Sequence, residues 1–240
     1  MKTSPFDGRR GRTSIARALL TTVVLAASAA GFASSLGAQQ PAWPDTFVSR
    51  LEALALIQTL HGDILGSTSA TTTLERWCRD HQLAPVPKIS ARLNRGEAPP
   101  ATEEQRQRLQ VGSGERVIAR SVELRCGDVV LSRARNWYVP GRLTAEMNRL
   151  LETSDTPFGT VIQPLQPYRQ TIGVRMLWQP LPQGWERGGD GSSASPSAPL
   201  AIPEALFEHR AIVYTGDRKA LSEVDEVYQR GVLAFAVAPR

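Results

Sequence analysis

The chain has 240 residues, of which 41% are apolar, and it carries 28 Lys and Arg side chains against 23 Asp and Glu side chains. These proportions are typical of a folded protein of one or at most two domains, and they exclude a disordered chain and a polytopic membrane protein. The formal net charge is +5, and much of it lies near the N-terminus.

The N-terminal segment has the three parts of a secretory signal. Basic side chains come first, an apolar stretch follows at 18–33, and small residues precede a cleavage position after Ala38. Removal of residues 1–38 takes away five basic and one acidic side chain, so the net charge falls from +5 to about +1. We therefore expect a periplasmic or secreted monomer with no nucleic-acid partner and no stable membrane insertion after cleavage. Retention of the apolar stretch as an anchor is the alternative.

The chain has two cysteines, Cys78 and Cys126. In an oxidising compartment they can pair, and two buried free thiols are the alternative. We predict the disulfide, because it would tie the second helix to a β-hairpin. Neither cysteine has a Cys or His partner at metal-ligand spacing, and His61, His81 and His209 are isolated in the sequence, so the sequence gives no basis for a zinc site or for Cys-His catalysis.

Helical periodicity comes first in the exported part of the chain. Asp45 is placed to cap a helix whose apolar positions recur at helical spacing as far as about Gly62. Thr72 and Glu75 can form a capping box for a second helix that ends near His81. Shorter helices are expected within 97–110, over 144–152 and from 156.

The strongest strand signal is a β-hairpin formed by 116–125 and 129–139. Further strands are expected at 86–93, 168–178, 210–214 and 219–228. Residues 181–203 are rich in Gly, Ser and Pro, and we predict a flexible insertion there. This order of elements predicts one α+β domain over 39–240, with an antiparallel sheet.

Strand parity places charged residues among apolar ones, because alternate side chains of a strand share a face. Arg120 shares parity with Ile118, Val122 and Leu124, so it is predicted on the core face. In the partner strand, Arg133 and Arg135 share parity with Leu131, Trp137 and Val139, which puts one or two further guanidiniums toward the same interior. The strand at 168–178 is indicated by the shared parity of Tyr168, Ile172, Val174, Met176 and Trp178.

Glu226 is the acidic counterpart, since it shares parity with Val224 and Tyr228, whereas Glu223 falls on the other face. Arg120 and Glu226 could form an internal salt bridge, because a buried charge is costly without a partner. They could equally line a cavity that binds a small carboxylate, in which burial raises the pKa of Glu226.

These features resemble the chorismate pyruvate-lyase family over residues 65–228. The resemblance rests on short motifs in the same order: Thr68-Ser69-Ala70-Thr71 with Leu74-Glu75; Arg120 through Gly127 to Arg135 and Pro140; Thr156-Pro157-Phe158-Gly159; Tyr168-Arg169; and Val224-Asp225-Glu226-Val227-Tyr228. It implies an antiparallel sheet with helices that enclose an internal ligand cavity.

The resemblance also implies roles for individual residues. Arg120 would hold a substrate carboxylate, the backbones at Ala70 and Phe158 would contact the ligand, and Glu226 would handle the proton. Counting from Gly216 without a gap assigns that last role to Glu223.

The reaction implied is elimination of pyruvate from chorismate, or from a related small aromatic carboxylate, which leaves 4-hydroxybenzoate and needs no cofactor. Two alternatives stay open at this point. One is a non-catalytic periplasmic protein that binds small aromatic carboxylates in the same cavity, and the other is a purely structural exported domain.

Overall fold

The fold is described from a computed structural model, which covers residues 43–94, 98–188 and 198–235. The predicted signal peptide, residues 1–38, lies outside the described residues, as do residues 189–197 of the predicted insertion. Within the described residues, no helix is long and apolar enough to cross a membrane.

Six strands form one antiparallel sheet: β1 Ile89–Asn94, β2 Ile118–Cys126, β3 Val129–Tyr138, β4 Tyr168–Met176, β5 Ala205–Tyr214 and β6 Ala220–Gln229. Their order across the sheet is β1-β2-β3-β6-β5-β4. The predicted hairpin is confirmed as β2 and β3, and its turn uses Gly127 at a φ of +54°, which a glycine adopts without strain. β6 pairs with both β3 and β5, so Glu226 lies between Ala134 and His209.

The described residues contain five α-helices: α1 Phe47–Leu65, α2 Ala70–Asp80, α3 Glu103–Arg108, α4 Ala145–Thr153 and α5 Phe158–Val161. The cap of α1 is Thr46 rather than Asp45, because the Thr46 side chain accepts a hydrogen bond from the backbone N–H of Ser49 at 3.1 Å. Asp45 instead forms an ion pair with Arg50 at 2.7 Å.

The apolar core lies mainly on one face of the sheet. Side chains of α1 and α2, such as Ile57 and Leu74, pack with Phe207 of β5 in the largest cluster of buried residues. α4 and α5 belong to a second cluster, and Leu109 at the end of α3 packs against Trp137 in a third. The predicted α+β class with an antiparallel sheet is therefore confirmed.

Cys78 of α2 and Cys126 at the end of β2 form a disulfide, as predicted. Both residues are fully buried. The bond therefore connects the helical layer to the sheet inside the core.

Arg133 and Arg135 point away from the core, so the prediction that they face inward is wrong. Their side chains are 50% and 47% exposed. Ser132 pairs with Leu124 and Val130 with Arg125, which leaves Leu131 as an extra residue that breaks the alternation of β3. Trp137 and Val139 do not mark the side of the sheet that faces the main core, because they are buried in the third cluster beside Leu109.

The parity assigned to β4 is also corrected. Ile172 and Val174 are 39% and 53% exposed, since β4 is an edge strand. A register shift between Thr171 and Gly173 moves the strand by one residue relative to β5. Before the shift, Arg169 pairs with Val213 and lies on the cavity side of the sheet.

Both ends of the predicted flexible insertion are packed against the rest of the protein. Leu181 and Leu200 are buried, and the backbone N–H of Leu200 donates to the Trp43 carbonyl at 2.7 Å. The backbone N–H of Asp45 donates to the carbonyl of Ala198 at 2.9 Å. The prediction of flexibility over 181–203 is therefore corrected at these two ends.

Candidate functional site

A cavity lies between the sheet and the helices α2 and α5. The space between its walls is about 580 Å³ including the part open to solvent, and about 60 Å³ of it can hold the centre of a water-sized molecule. Most of its wall is apolar, and its polar side chains include Asn136, Arg169 and Glu226.

Two turns form the wall opposite the sheet. The Ser69 side chain accepts a hydrogen bond from the backbone N–H of Thr72 at 3.3 Å, so α2 begins at Ala70 and not after the predicted Thr72 box. A Cβ at Gly159 would lie 2.7 Å from Oγ1 of Thr71. Glycine at the start of α5 therefore permits the close contact of the two turns.

The carboxylate of Glu226 lies at the polar end of the cavity and is 2% exposed. Its Oε2 accepts hydrogen bonds from Nη1 of Arg169 at 3.1 Å and from the hydroxyl of Tyr228 at 2.7 Å. Its Oε1 accepts a hydrogen bond from Oγ of Ser132 at 3.1 Å. Four residues from β3, β4 and β6 thus form one buried network.

The protonation states of this network follow from burial and from its own charges. Burial raises the pKa of Tyr228 well above its usual value, and the neighbouring Glu226 raises it further. For Arg169, burial opposes the charge, but Tyr228 and Glu226 outweigh it and raise the pKa. Arg169 is therefore a charged guanidinium and Tyr228 a neutral phenol.

Two histidines that are isolated in the sequence meet beside this network. Nδ1 of His61 on α1 lies 2.8 Å from Nε2 of His209 on β5. His209 is fully buried, and burial, followed by Arg169 and His61, lowers its pKa to about 3. Burial also lowers the pKa of His61. No group of three or more potential metal ligands was found among the described residues.

Arg120 is a second buried guanidinium. The residue is 6% exposed, and none of its three guanidinium nitrogens has a hydrogen-bond partner within the described part of the chain. Burial lowers its pKa, because the charged form loses hydration. Its ladder neighbour Asn136 lines the cavity and has an Oδ1 that likewise lacks a described partner.

Three of the four predicted site residues, Ala70, Phe158 and Glu226, line the cavity. Arg120 does not line it, but pairs in the ladder with Asn136, which does. Glu223 lies on the opposite face of the sheet, where Nε and Nη2 of Arg108 donate to it at 2.7 and 2.8 Å. The geometry thus brings Glu226, and not Glu223, to the cavity.

Arg169 is the site residue that sequence reasoning missed. The interior partner of Glu226 is Arg169 rather than Arg120, which corrects the predicted salt bridge. The Tyr168-Arg169 pair entered only as one motif of the family resemblance, and the apolar parity of Tyr168, Ile172 and Val174 gave no role to Arg169. Gly173 was the available signal, since a glycine inside a strand often marks a bulge that changes parity.

Comparison with known proteins identifies a relative. No family model matches the chain. The chain is 46% identical over 204 residues to the uncharacterized protein y4mC of Sinorhizobium fredii (strain NBRC 101917 / NGR234), and the match covers 85% of each chain. The chain belongs to the y4mC family.

Solved structures similar to this y4mC-family chain include domains of transcriptional regulators. The effector domain of PhnF from Mycobacterium smegmatis is 15% identical with a TM-score of 0.42, and the match covers 69% of this chain and 90% of that domain. The C-terminal domain of the histidine utilization repressor from Pseudomonas syringae pv. tomato str. DC3000 is 12% identical with a TM-score of 0.38, covering 64% and 98% of the two chains.

Membership of the chorismate pyruvate-lyase family is therefore corrected. No family model matches the chain, and the relative that shows its family is y4mC. The short motifs that suggested the lyase family correspond to turns and strands, which an antiparallel sheet of this class needs whatever its function.

Proposed function

We propose that this y4mC-family protein binds a small aromatic carboxylate in the cavity. The observation that carries the proposal is an imbalance of buried charge. Glu226 balances Arg169 among the described residues that line the cavity, whereas Arg120, a buried guanidinium beside the lining residue Asn136, has no hydrogen-bond partner among the described residues. An interior cation without a counter-charge costs several kcal/mol, and an anionic ligand would provide that charge.

Arg169 is suited to hold the carboxylate directly. Its Nη1 is bound to Glu226, while Nε and Nη2 have no hydrogen-bond partner among the described residues. These two N–H groups form one edge of the guanidinium, and they would donate two parallel hydrogen bonds to a carboxylate. Glu226 would act as the residue that fixes the plane of this guanidinium.

The rest of the cavity suits an apolar ring. Val122, Leu124, Phe158 and Ile162 would pack against the ring. The unpartnered Oδ1 of Asn136 would accept a hydrogen bond from a ligand hydroxyl. The backbones at Ala70 and Phe158 would contact the ligand from the side of the two turns.

The geometry favours binding over catalysis. In the elimination of pyruvate from chorismate, Glu226 would have to handle a proton while it also holds Arg169 in place. Both oxygens of Glu226 already accept hydrogen bonds, from Arg169, Tyr228 and Ser132. We therefore propose a binding protein. Conversion of chorismate to 4-hydroxybenzoate by the purified protein would contradict this proposal and support catalysis.

The ligand experiment compares two molecules of nearly equal shape by titration calorimetry. We expect 4-hydroxybenzoate to bind at least ~10-fold more tightly than the neutral 4-hydroxybenzamide, because a bidentate charged contact contributes about 1.5–3 kcal/mol. The double variant Arg169→Met/Glu226→Gln, which keeps the interior charge balanced, should lose this preference. Arg149→Met, at a residue whose side chain is 60% exposed, is the control and should keep it. Equal affinity for the two ligands would refute the proposal.

We propose further that this binding takes place outside the cytoplasm. The support is the buried Cys78–Cys126 disulfide together with the predicted signal at 1–38. Fractionation of cells that express the full chain should recover the protein without its first 38 residues in the periplasm or medium. Recovery of the full-length chain in the cytosol, with both thiols free, would contradict this localisation.

A further inference from the structure

The sheet face opposite the cavity carries a row of charged side chains that crosses all six strands. Residues of this row are neighbours in the strand ladders, in the order Arg92, Glu123, Arg133, Val227, Glu208 and Arg175. A second row includes Arg135, Asp225 and Arg210. We call these two rows the arginine face.

The guanidiniums of the arginine face stand outward and its carboxylates are recessed. The side chains of Arg133 and Arg175 are 50% and 67% exposed, whereas those of Glu123 and Glu208 are 15% and 16% exposed. Asp225, also 16% exposed, is recessed beneath Arg135, whose side chain is 47% exposed. A partner would therefore meet positive charge first.

Positive charge is also in excess on this face. The two rows hold five arginines and three carboxylates, Arg92, Arg133, Arg135, Arg175 and Arg210 against Glu123, Glu208 and Asp225, and Glu204 adds a fourth carboxylate 3.6 Å from Arg133. Arg92 and Arg210 are exposed and form no ion pair in the part of the chain that the structure describes. Their charges are available to an external anion.

We propose that the arginine face binds the head groups of an anionic phospholipid bilayer. A guanidinium donates two parallel hydrogen bonds to a phosphate, and basic groups near an anionic bilayer each contribute about 1 kcal/mol. The arginines are distributed in two dimensions over six strands, a width of about 24 Å at the usual strand spacing. Lipids diffuse laterally and can place a phosphate under each guanidinium, whereas an acidic protein would need carboxylates fixed in the same array. This proposal does not depend on the ligand in the cavity.

The test is co-sedimentation of the purified full chain with two kinds of vesicle, phosphatidylcholine alone and phosphatidylcholine with phosphatidylglycerol. We expect binding to the anionic vesicles to exceed binding to the neutral ones and to weaken with salt, because screening is strong above about 0.1 M. Binding to neutral vesicles measures the contribution of the apolar stretch at 18–33, since that stretch needs no lipid charge.

Variants decide whether the arginine face is responsible. Arg92→Gln/Arg210→Gln should weaken binding to anionic vesicles about 25-fold, since each lost charge accounts for about 5-fold. The control is Arg76→Gln/Arg149→Gln, which removes the same charge from α2 and α4, at side chains 50% and 60% exposed, and it should change binding less than ~3-fold. An equal loss in both double variants, or equal binding of the parent to both vesicles, overturns the proposal. Retention on an immobilised acidic polypeptide without vesicle binding would overturn it in favour of an acidic protein partner.

Discussion

At the scale of single residues, the interior of this protein is defined by how its charges are matched. The carboxylate of Glu226 accepts hydrogen bonds from three side chains, those of Arg169, Tyr228 and Ser132. Arg120, on the same face of the sheet, has no hydrogen-bond partner among the described residues. A buried guanidinium without a partner destabilises the folded state, and a role of Arg120 in ligand binding would explain why it is present.

Replacement of Arg120 should therefore separate stability from binding. Arg120→Met keeps the length of the side chain and removes a buried charge, so we expect the free energy of unfolding to rise by about 1–3 kcal/mol. The same change should weaken binding of 4-hydroxybenzoate. Urea denaturation and titration calorimetry on one preparation measure both effects. A large loss of stability would show that Arg120 has a structural partner.

The Arg169–Glu226 pair should behave in the opposite way. Arg169→Met leaves Glu226 buried without its cation, and we expect a loss of about 3–5 kcal/mol. Adding Glu226→Gln should recover much of this loss, because the amide is neutral and its oxygen can still accept the hydrogen bond from Tyr228. A double-mutant cycle from urea denaturation gives the coupling energy. Simple additivity of the two losses would contradict a direct interaction.

At the scale of secondary-structure elements, contacts between turns and helices decide the shape of the site. Gly159 allows α5 to approach Thr71 in the first turn of α2, and the Cys78–Cys126 bond attaches α2 to β2. The segments at both ends of 189–197 are held as well, through Leu181 and Leu200. The helical wall of the cavity is therefore fixed at several points along the chain.

Removal of the disulfide should cost a large share of the stability. Cys78 and Cys126 are separated by 48 positions, and a closed loop of that length contributes about 4 kcal/mol in the chain-entropy model. We expect Cys78→Ser/Cys126→Ser to lose about that much in urea denaturation. The parent protein, alkylated without reduction, should show no labelled thiol by mass spectrometry. A loss below ~1 kcal/mol would mean that the bond constrains little.

The packed ends of the predicted insertion can be tested by truncating one leucine. Leu200 is 7% exposed and belongs to the largest buried cluster, so Leu200→Ala should cost about 2–5 kcal/mol. Leu177, which is 36% exposed, is the control, and Leu177→Ala should cost about 0.5 kcal/mol or less. Equal midpoints of urea denaturation for both variants would restore the prediction of a flexible segment.

At the scale of the whole molecule, the sheet separates two kinds of surface. Its inner face carries the cavity, the buried network and the histidine pair that joins α1 to β5. Its outer face is divided between the cluster around Leu109 and the arginine face. The two proposed activities therefore use opposite sides of one sheet.

Global stability should fall in acid because of His209. Its pKa is lowered to about 3 in the folded protein but is about 6.5 in an unfolded chain, so the unfolded state binds the additional proton below that value. Stability should decrease as pH falls from about 6.5 towards 3, by up to about 1.4 kcal/mol per pH unit from this group. His209→Gln should remove that contribution, which urea denaturation at several pH values measures. An unchanged slope in the variant would contradict a buried neutral His209.

Local sequence determined the helices, the hairpin and the core-facing position of Glu226. These features depend on capping residues, on turn residues and on periodicities that continue for several residues, which neighbouring positions specify without help from the rest of the chain. Arg120 was placed in the interior for the same reason, because no register shift interrupts β2 between Arg120 and Leu124.

Only the tertiary structure decided the partners of these residues. The extra residue Leu131 in β3 and the register shift near Gly173 in β4 each change which side chains face the core, so parity failed for Arg133 and Arg135 and concealed Arg169. His61 and His209 are 148 positions apart, and no local pattern predicts a contact at that separation. Sequence periodicity specifies the face of a regular strand, whereas bulges and long-range pairing determine which charges meet.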